Sequence, residues 1–418
     1  MPDRPLPLSG VRALEISTAW AGPMAGRILA DLGAEVIKVE HLDAIDNWRG
    51  AVTGDDRNRY PDFQPGLRPY DRSAWFNTQN LGKRSLGLDL KAPSTRPAIE
   101  ALVRQCDVVV SNFAAGALGR LGLAYENLVA LRPDVILLEM VVTGEGGPMS
   151  DMRGVGPTME ALASMTGLTG YGDGIPQRTG PAYVDPIGAL NGAMAVMLAL
   201  YHRRRTGEGQ RIELAQRESL MHWYGERFLA QAEDGRETAP TGNRTPRAAP
   251  HDAYRTLGED QWVAIAAFEE AQWTALCAAM ERPALAQDPR FQDLETRQKN
   301  HAALRLEIEA WTGTRDKRAV AELLQREGVP AAPVSSGRDV HDDPQLAATG
   351  FISILDHPAA GRHRYQGLPF RFDNRPPTPA PLLGQDTRHV LAEVARLSDR
   401  EIAALLESGA ALEPGEPT

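Results

Sequence analysis

Asp185 stands directly before a long apolar segment, a position that suits a carboxylate with a chemical role. Only Gly188, Asn191 and Gly192 interrupt the apolar residues from Ile187 to Tyr201, and this pattern predicts a helix buried on most sides. The helix dipole would keep a carboxylate at its amino terminus ionised. An ionised carboxylate has the charge state that a nucleophile needs, so the position of Asp185 is compatible with a role in catalysis.

Asp185 also fits a purely structural role. An Asp at the N-cap, followed by a proline such as Pro186 at the first helical position, is a common start of a helix. Both roles are compatible, because one carboxylate oxygen can accept backbone hydrogen bonds while the other faces a ligand. The basic residues Arg203 to Arg205 and Gly207 predict the end of the helix, and a strand should follow over Arg211 to Leu214.

Composition excludes several classes of protein. The formal net charge of -10 over 418 residues argues against a nucleic-acid partner, because phosphate backbones are bound by clustered Lys and Arg. Cys106 and Cys277 lie far apart, as in reduced, cytoplasmic proteins. The amino terminus has no secretory h-region, and the apolar run Ala193 to Tyr201 is too short to cross a membrane. The histidines lack the spacing of metal ligands, so we expect no metal.

The amino-terminal segment predicts a βαβ unit. Val11 to Ile16 and Val36 to Val39 read as strands, with a helix over Met24 to Leu32 between them. Glu40, at the end of the second strand, is where a dinucleotide-binding protein would hold ribose hydroxyls. The glycine-rich phosphate loop of such proteins is missing, however, since the first strand is followed only by Ala21-Gly22-Pro23.

Strands and helices continue to alternate along the chain. We expect further strands over Ser85–Leu90, Asp107–Val110 and Val135–Met140, with helices over Ser94–Gln105 and Tyr125–Leu131. This alternation predicts an α/β fold with a doubly wound, mostly parallel, Rossmann-like sheet. Ligands of such sheets bind beyond the carboxyl ends of the strands, which here carry Ala19–Pro23, Asn112–Phe113 and Thr143–Gly147.

The rest of the chain divides into further segments. Polar residues from Ala44 to Ser73 predict a surface excursion, and a hairpin of Ala253–Thr256 with Trp262–Ala266 opens a smaller α+β domain. Phe351–Leu355 and Leu368–Phe372 read as strands, and Ser398 with Glu401 as a capping box. The predicted domain plan is a large α/β domain over 1–232, a linker over 233–252, a small domain over 253–328, a linker over 329–350, and a return to the large domain over 351–418.

Several segments together resemble the class III CoA-transferases, the family of formyl-CoA transferase and carnitine CoA-transferase. They are LSGVRALEIS followed by AGP, LGAEVIKVE, NLGKRSLGLDLK, NFAAGALGRLG, the Asp185 segment ending in RRRTGEGQ, PHDAY, and APLLGQDT. No single segment is decisive, but their shared order and spacing run nearly the whole length of the chain.

The resemblance implies a mechanism in which Asp185 is the nucleophile. CoA would pass from an acyl-CoA to a carboxylic acid through an aspartyl mixed anhydride and an aspartyl-CoA thioester, with no metal. Glycine-rich loops such as Gly146–Gly147 would supply backbone N–H groups to the oxyanion. The resemblance further implies an interlocked homodimer threaded through the two linkers.

The resemblance also implies a set of CoA contacts. The matching positions are Ala21, Leu88, Lys91, Asn112, Phe113, Arg120 and Arg153. Lys91 and Arg120 are chemically suited to phosphate, although each also fits a solvated surface charge. Thr18, Trp20 and His41 depart from the residues found in relatives.

Two other functions are alternatives to CoA transfer. Acyl-CoA racemases of the same family use a His and an Asp as paired bases, but no histidine stands between Asp151 and Asp185. A non-catalytic CoA-binding protein would be favoured if Asp185 were used entirely as a helix cap.

Overall fold

The computed structural model describes residues 5–50, 56–235, 239–370 and 377–414. The chain forms two compact units. The first comprises Met1–Met165, Thr179–Arg236 and Gln345–Thr418, and the second comprises Thr166–Arg178 and Glu237–Pro344.

The strands, in chain order, are β1 Arg12–Ile16, β2 Glu35–Glu40, β3 Arg84–Leu88, β4 Val108–Ser111, β5 Ile136–Val141, β6 Gln210–Ala215, β7 His251–Arg255, β8 Trp262–Ala266, β9 Ala331–Pro333, β10 Ile352–His357, β11 Gly361–Gln366 and β12 Ala411–Leu412.

The helices are α1 Ala21–Asp31, α2 Pro69–Arg72, α3 Ala74–Gln79, α4 Arg96–Gln105, α5 Ala117–Arg120, α6 Tyr125–Leu131, α7 Gly156–Leu162, α8 Met165–Leu168, α9 Val184–Thr206, α10 Gln216–Met221, α11 Gly225–Asp234, α12 Glu270–Ala279, α13 Leu294–Lys299, α14 His301–Thr312, α15 Lys317–Arg326, α16 Gly337–His341, α17 Pro344–Ala348, α18 Thr387–His389 and α19 Asp399–Glu407. A π-helical turn, Val390–Val394, continues α18.

The first unit is built on a seven-stranded sheet in the order β12-β3-β2-β1-β4-β5-β6. Every pair is parallel except β12 with β3. Apolar clusters cover both faces: α4 and α19 pack on one, and α1 and α9 on the other. The predicted mostly parallel α/β sheet is confirmed, because buried β-branched residues such as those of β4 need cover on both sides.

The second unit has its own core. The strands β7, β8 and β9 form an antiparallel sheet, and α12, α14 and α15 pack against it around Trp273, Phe291 and Leu324. The predicted hairpin of this unit is confirmed, with Tyr254 paired to Val263.

Two segments expected as connections are more ordered than their composition indicated. Residues 331–333, expected in a linker, form the edge strand β9, where a proline is tolerated because one side of the strand is unpaired. The expected excursion over residues 44–73 carries two fully buried charges, Arg49 and Asp71. Its polar composition therefore reflects internal ion pairs as well as exposed residues such as Arg57, Asp62 and Gln64.

The carboxyl-terminal segment differs from expectation in one strand and agrees in its last helix. β10 pairs with β11 across a short turn, and residues 368–370 form no strand, while residues 371 and 372 of the expected strand lie outside the described residues. The strand β11 was not predicted because its sequence is polar, and the strands of an exposed hairpin need little alternation of apolar residues. The capping box is confirmed, since the Ser398 hydroxyl donates to Glu401 at 2.6 Å.

The helix α9 is longer than the sequence pattern indicated. It runs for 23 residues and is apolar and long enough to cross a membrane by length and composition. It packs against α1 and against β5 and β6, with Ala189, Ala193 and Val196 buried in the core. Core helices of other proteins meet the same criterion. Only 44% of the most apolar part of α9 is buried, so the expectation of a helix buried on most sides is wrong, and its packing accounts for only one of its apolar faces.

Candidate active site

Asp185 is the second residue of α9, not its N-cap. The N-cap is Tyr183, and its backbone N–H donates to Oε1 of Glu160 at 2.6 Å. The hydroxyl of Thr179 donates to the same carboxylate at 3.0 Å. Glu160 is fully buried in α7, and it therefore provides the hydrogen-bond acceptor at the amino terminus of α9 from another helix. The interpretation of Asp185 as a helix cap is wrong.

The acidity of Asp185 is set by its surroundings. Burial, followed by the negative charge of Glu160, raises the pKa of Asp185 to about 6. The backbone amides of Ala21 and of Asp185 itself act in the opposite direction and favour the charged carboxylate. Asp185 is partly buried and remains accessible to a ligand. A carboxylate with these properties is typical of a catalytic group.

The space around Asp185 is tight on one side and apolar on another. A Cβ atom at Gly156 would lie 2.3 Å from Oδ2 of Asp185, so only glycine allows α7 to approach this closely. Near the start of α9, Met159, Ala182 and Ile187 form an apolar cluster with the partly buried Trp20. Glu160 and Gly156 were missed by sequence reasoning, because only the packing of α7 on α9 gives them a role.

The loop between β1 and α1, residues 17–20, is held by three side chains from other parts of the chain. Asn112 accepts the N–H of Thr18 at 3.0 Å and donates to the Thr18 carbonyl at 2.8 Å. Asp46 accepts the N–H of Ala19 at 2.9 Å, and Lys38 donates to the carbonyl of Ser17 at 2.7 Å. The side-chain amide of Asn112, predicted to contact CoA, is thus committed to this loop.

A buried cluster of charges supports the same loop. Lys38 lies 3.1 Å from both Glu15 and Asp46, and Lys83 lies 2.7 Å from Glu15. Burial opposes the charge of Lys38, but the nearby carboxylates outweigh it and raise its pKa. For Lys83 burial prevails and lowers the pKa to about 8. The sequence held a signal for this cluster, since Glu15 and Lys38 are charged residues inside apolar strands.

Glu40, considered as a ribose ligand, is engaged elsewhere. Arg49 donates to both of its oxygens at 2.8 Å and also contacts Asp71 at 3.0 Å. The guanidinium carbon of Arg49 lies 3.6 Å from the ring centre of Phe76. This buried arrangement gives Glu40 a structural role and removes the main support for a nicotinamide cofactor.

A cleft of about 90 Å³ lies at the carboxyl ends of β1, β2 and β3. Its lining includes three of the predicted CoA-contact residues, Leu88, Lys91 and Phe113. Lys91 is exposed, so its ammonium group is accessible from the cleft's edge. His41 also lines the cleft, and its Nε2 lies 3.1 Å from the carbonyl of Gly409.

The other predicted site residues are more dispersed. Ala21, the first residue of α1, is buried and directs its amide toward Asp185. Arg120 and Arg153 are exposed and do not line the cleft. Gly146 and Gly147 have positive φ angles of 81° and 77°, which places successive backbone groups on an open turn.

A larger cavity of about 510 Å³ lies elsewhere, at the amino ends of β2 and β3. Its charged residues are already in ion pairs, Arg84 with Glu35 and Asp386, and Lys83 with Glu15. Size alone therefore does not identify the site, and the carboxyl ends of the strands carry the groups suited to chemistry. Among the residues that the structure describes, no group of three or more His, Cys, Asp or Glu could hold a metal ion.

Known proteins resemble this chain over almost its full length. Succinyl-CoA:mesaconate CoA-transferase of Haloarcula hispanica is 34% identical over 92% of this chain and 96% of its own. Succinyl-CoA–D-citramalate CoA-transferase of Chloroflexus aurantiacus is 31% identical over 96% and 97%. The crystal structure of a CAIB/BAIF family protein from Brucella suis superposes with a TM-score of 0.83 at 29% identity, covering 94% of this chain and all of that one.

The family described as CoA-transferase family III matches residues 8–387. The chain therefore belongs to CoA-transferase family III, and it is an enzyme that transfers coenzyme A from an acyl-CoA thioester to a carboxylic acid.

Proposed function

We propose that Asp185 is the nucleophile that carries the acyl group and CoA during transfer. The observation that supports this role most directly is that Glu160, and not Asp185, accepts the N-cap amide of α9, while the partly buried Asp185 carboxylate remains accessible. With a pKa of about 6, roughly nine-tenths of the carboxyl groups are ionised at pH 7. The carboxylate is then both available and more basic than an ordinary Asp.

The reaction proceeds by four exchanges at carbonyl carbons. The Asp185 carboxylate attacks the donor thioester, the carbon–sulfur bond breaks, and a mixed anhydride forms with release of CoA thiolate. The thiolate attacks the aspartyl carbonyl, which expels the donor acid and leaves an aspartyl-CoA thioester. The acceptor carboxylate attacks that thioester, the carbon–sulfur bond breaks, and a second anhydride forms with release of CoA thiolate. The thiolate then attacks the acceptor's carbonyl, giving the new acyl-CoA and free Asp185.

Backbone amides are suited to stabilise the oxyanion of each step. The amide of Ala21 faces the carboxyl group of Asp185, and the turn at Gly146 and Gly147 carries further N–H groups. For CoA itself we propose the cleft lined by Leu88, Lys91 and Phe113 as one contact region. Arg120 and Arg153 are exposed cations that suit phosphate groups lying outside the cleft.

The substrates are proposed from the relatives. The names of the relatives from Haloarcula hispanica and Chloroflexus aurantiacus combine succinyl-CoA with mesaconate and with D-citramalate, respectively. We infer a dicarboxylic acyl-CoA as donor and a small carboxylic acid as acceptor. A racemase would need a second base facing Asp185, whereas the titratable group that acts on it is Glu160, which is committed to Tyr183 and Thr179.

Assembly and location are also proposals. One face of α9 exposes Met194, Leu198 and Tyr201, which are 52%, 60% and 61% accessible. A second copy of this chain would cover this apolar face in the interlocked homodimer that the resemblance implies. Cys106 and Cys277 are free thiols, and burial raises the pKa of both to about 12. Such inert thiols are consistent with a cytoplasmic enzyme.

The covalent role of Asp185 is tested by trapping. Incubation with succinyl-CoA and then hydroxylamine should place a hydroxamate on the peptide that contains Asp185, as detected by mass spectrometry. Asp185→Asn should lose the label and about four orders of magnitude of CoA exchange. Glu226→Asn, on a carboxylate that is 70% exposed, is the matched control and should keep both. Substantial exchange by Asp185→Asn would show that the nucleophile lies elsewhere.

A further inference from the structure

The loop of residues 17–20 holds an unfavourable backbone conformation directly before the amide that faces Asp185. Ala19 has a φ angle of +63°, in the left-handed region that residues with a Cβ rarely adopt. Ala21 follows two residues later and begins α1. A backbone strained at this point keeps its conformation only if its surroundings hold it there. The contacts that hold it therefore decide where the Ala21 amide points.

Besides Lys38, which donates to the carbonyl of Ser17, two side chains bind the loop from the segments that follow β4 and β2. Asn112, at the end of β4, makes paired hydrogen bonds with the N–H and the carbonyl of Thr18 at 3.0 Å and 2.8 Å. Asp46 accepts the N–H groups of both Ala19 and Trp48 at 2.9 Å. The ring of Trp48 lies 5.2 Å from that of Trp20, so Asp46 also links two segments whose aromatic rings pack together.

Asp46 is itself held in place by charge. Its side chain is 2% exposed, and Oδ2 lies 3.1 Å from Nζ of Lys38, which is fully buried. An ionised Asp46 thus satisfies Lys38 with one oxygen and the loop with the other. An asparagine at this position would set its NH₂ group against either Lys38 or the two backbone N–H groups, because all of these are donors.

We propose that Asp46 and Asn112 are positioning residues that clamp the loop of residues 17–20 and so keep the backbone amide of Ala21 directed at the Asp185 carboxylate. The assignment rests on the proposed role of Asp185 as nucleophile. Both side chains act through the loop rather than on the substrate. The clamp gives the enzyme a preorganised N–H donor where negative charge resides on Asp185 and on the intermediates formed there.

The clamp predicts a change in pH dependence that a purely structural role would not produce. Loss of the Ala21 amide from its position removes a group that favours the charged carboxylate, so the pKa of Asp185 should rise. The acidic limb of kcat against pH should then move to higher pH in Asp46→Asn. Glu160 from α7 and the Ala21 amide from α1 face Asp185, and the substitution leaves Glu160 unchanged.

The test measures kcat from pH 5 to 9 for the wild type, Asp46→Asn and Asn112→Ala, using succinyl-CoA and succinate carrying an isotopic label. We expect kcat at pH 7 to fall by about 10- to 100-fold in each variant, and the acidic limb of kcat to move to higher pH. The double variant should lose less than the product of the two single losses, because both residues hold one loop. Asp43→Asn is the control, since its side chain is 87% exposed in the same segment.

The outcomes separate the clamp from the proposed nucleophile. Folded variants with an unchanged acidic limb would overturn the clamp, even if their melting temperatures fall. If Asp46→Asn does not fold, the acidic limb of kcat against pH in Asn112→Ala provides the same test of the clamp. Hydroxamate trapping on the wild type is run in parallel. If the wild type gives no label on Asp185, the proposed role of Asp185 as nucleophile is refuted. This conclusion does not depend on the results for the variants.

Discussion

Asp185 combines partial burial with a neighbouring negative charge, and both lower its tendency to ionise. Burial and Glu160 raise its pKa to about 6, whereas an Asp in an unfolded chain titrates near 3.9. The folded protein therefore binds this proton more tightly than the unfolded chain does. The resulting stabilisation is complete below about pH 4 and is lost as the pH rises through about 6.

Asp185→Asn should for this reason change stability in a pH-dependent way. Above pH 7 the free energy of unfolding of the variant should be about 1–3 kcal/mol higher than that of the wild type, because the variant lacks a partly buried charge. At pH 4 the two proteins should be equally stable. Denaturant unfolding at both pH values measures the difference. A variant less stable than the wild type at pH 8 would mean that the carboxylate has a structural role after all.

Glu160 offers a second test at the same scale. In Glu160→Gln the side-chain oxygen still accepts the N–H of Tyr183, but the charge beside Asp185 is gone. The pKa of Asp185 should fall, and the acidic limb of kcat should move to lower pH. Glu226→Gln, in which a 70% exposed carboxylate is neutralised, should leave the limb in place. An upward movement in Glu160→Gln would contradict the assigned influence of Glu160.

At the scale of elements, β1, β2 and β3 share an ionic cluster within a largely apolar sheet. Glu15 and Lys38 are fully buried, and Lys83 and Asp46 complete two positive and two negative charges. Buried pairs of this kind add little stability over apolar residues, but removing one member leaves an uncompensated charge. The cluster thus makes the sheet sensitive to single substitutions near the loop of residues 17–20.

Lys38→Met should reveal this sensitivity. The substitution leaves Asp46 without its cation and should cost about 3–5 kcal/mol in the free energy of unfolding. Lys299→Met is the control, because Lys299 is 76% exposed and pairs only with an exposed Glu295. That change should stay within about 0.5 kcal/mol. Equal effects in urea unfolding would show that the buried cluster is dispensable.

At the scale of the whole molecule, the apolar face of α9 carries the prediction for assembly. We expect the wild type to sediment as a dimer at nanomolar concentration, since an interlocked pair cannot separate without unfolding. Leu198→Glu places a charge on this face and should prevent assembly or lower it sharply. Leu306→Glu, at a residue that is 69% exposed on α14, is the control. A folded, active wild-type monomer would refute the dimer.

The sequence by itself determined the succession of strands and helices in the parallel sheet and the presence of a long helix that begins near Asp185. Those features follow from local periodicity and from short connections, which act between neighbours in the chain. The hairpin β7–β8 and the capping box at Ser398 are local in the same sense, and both were predicted correctly.

Only the tertiary structure decided what surrounds Asp185. Glu160 caps α9 through Tyr183, which lies 23 residues away in the sequence. Asp46 and Asn112 hold the loop of residues 17–20 from the segments that follow β2 and β4. The cluster of Glu15 with Lys38 likewise pairs charges that sequence patterns treat as isolated. Hydrogen bonds and burial between distant residues set the acidity of a carboxylate, and those contacts exist only after the chain has folded.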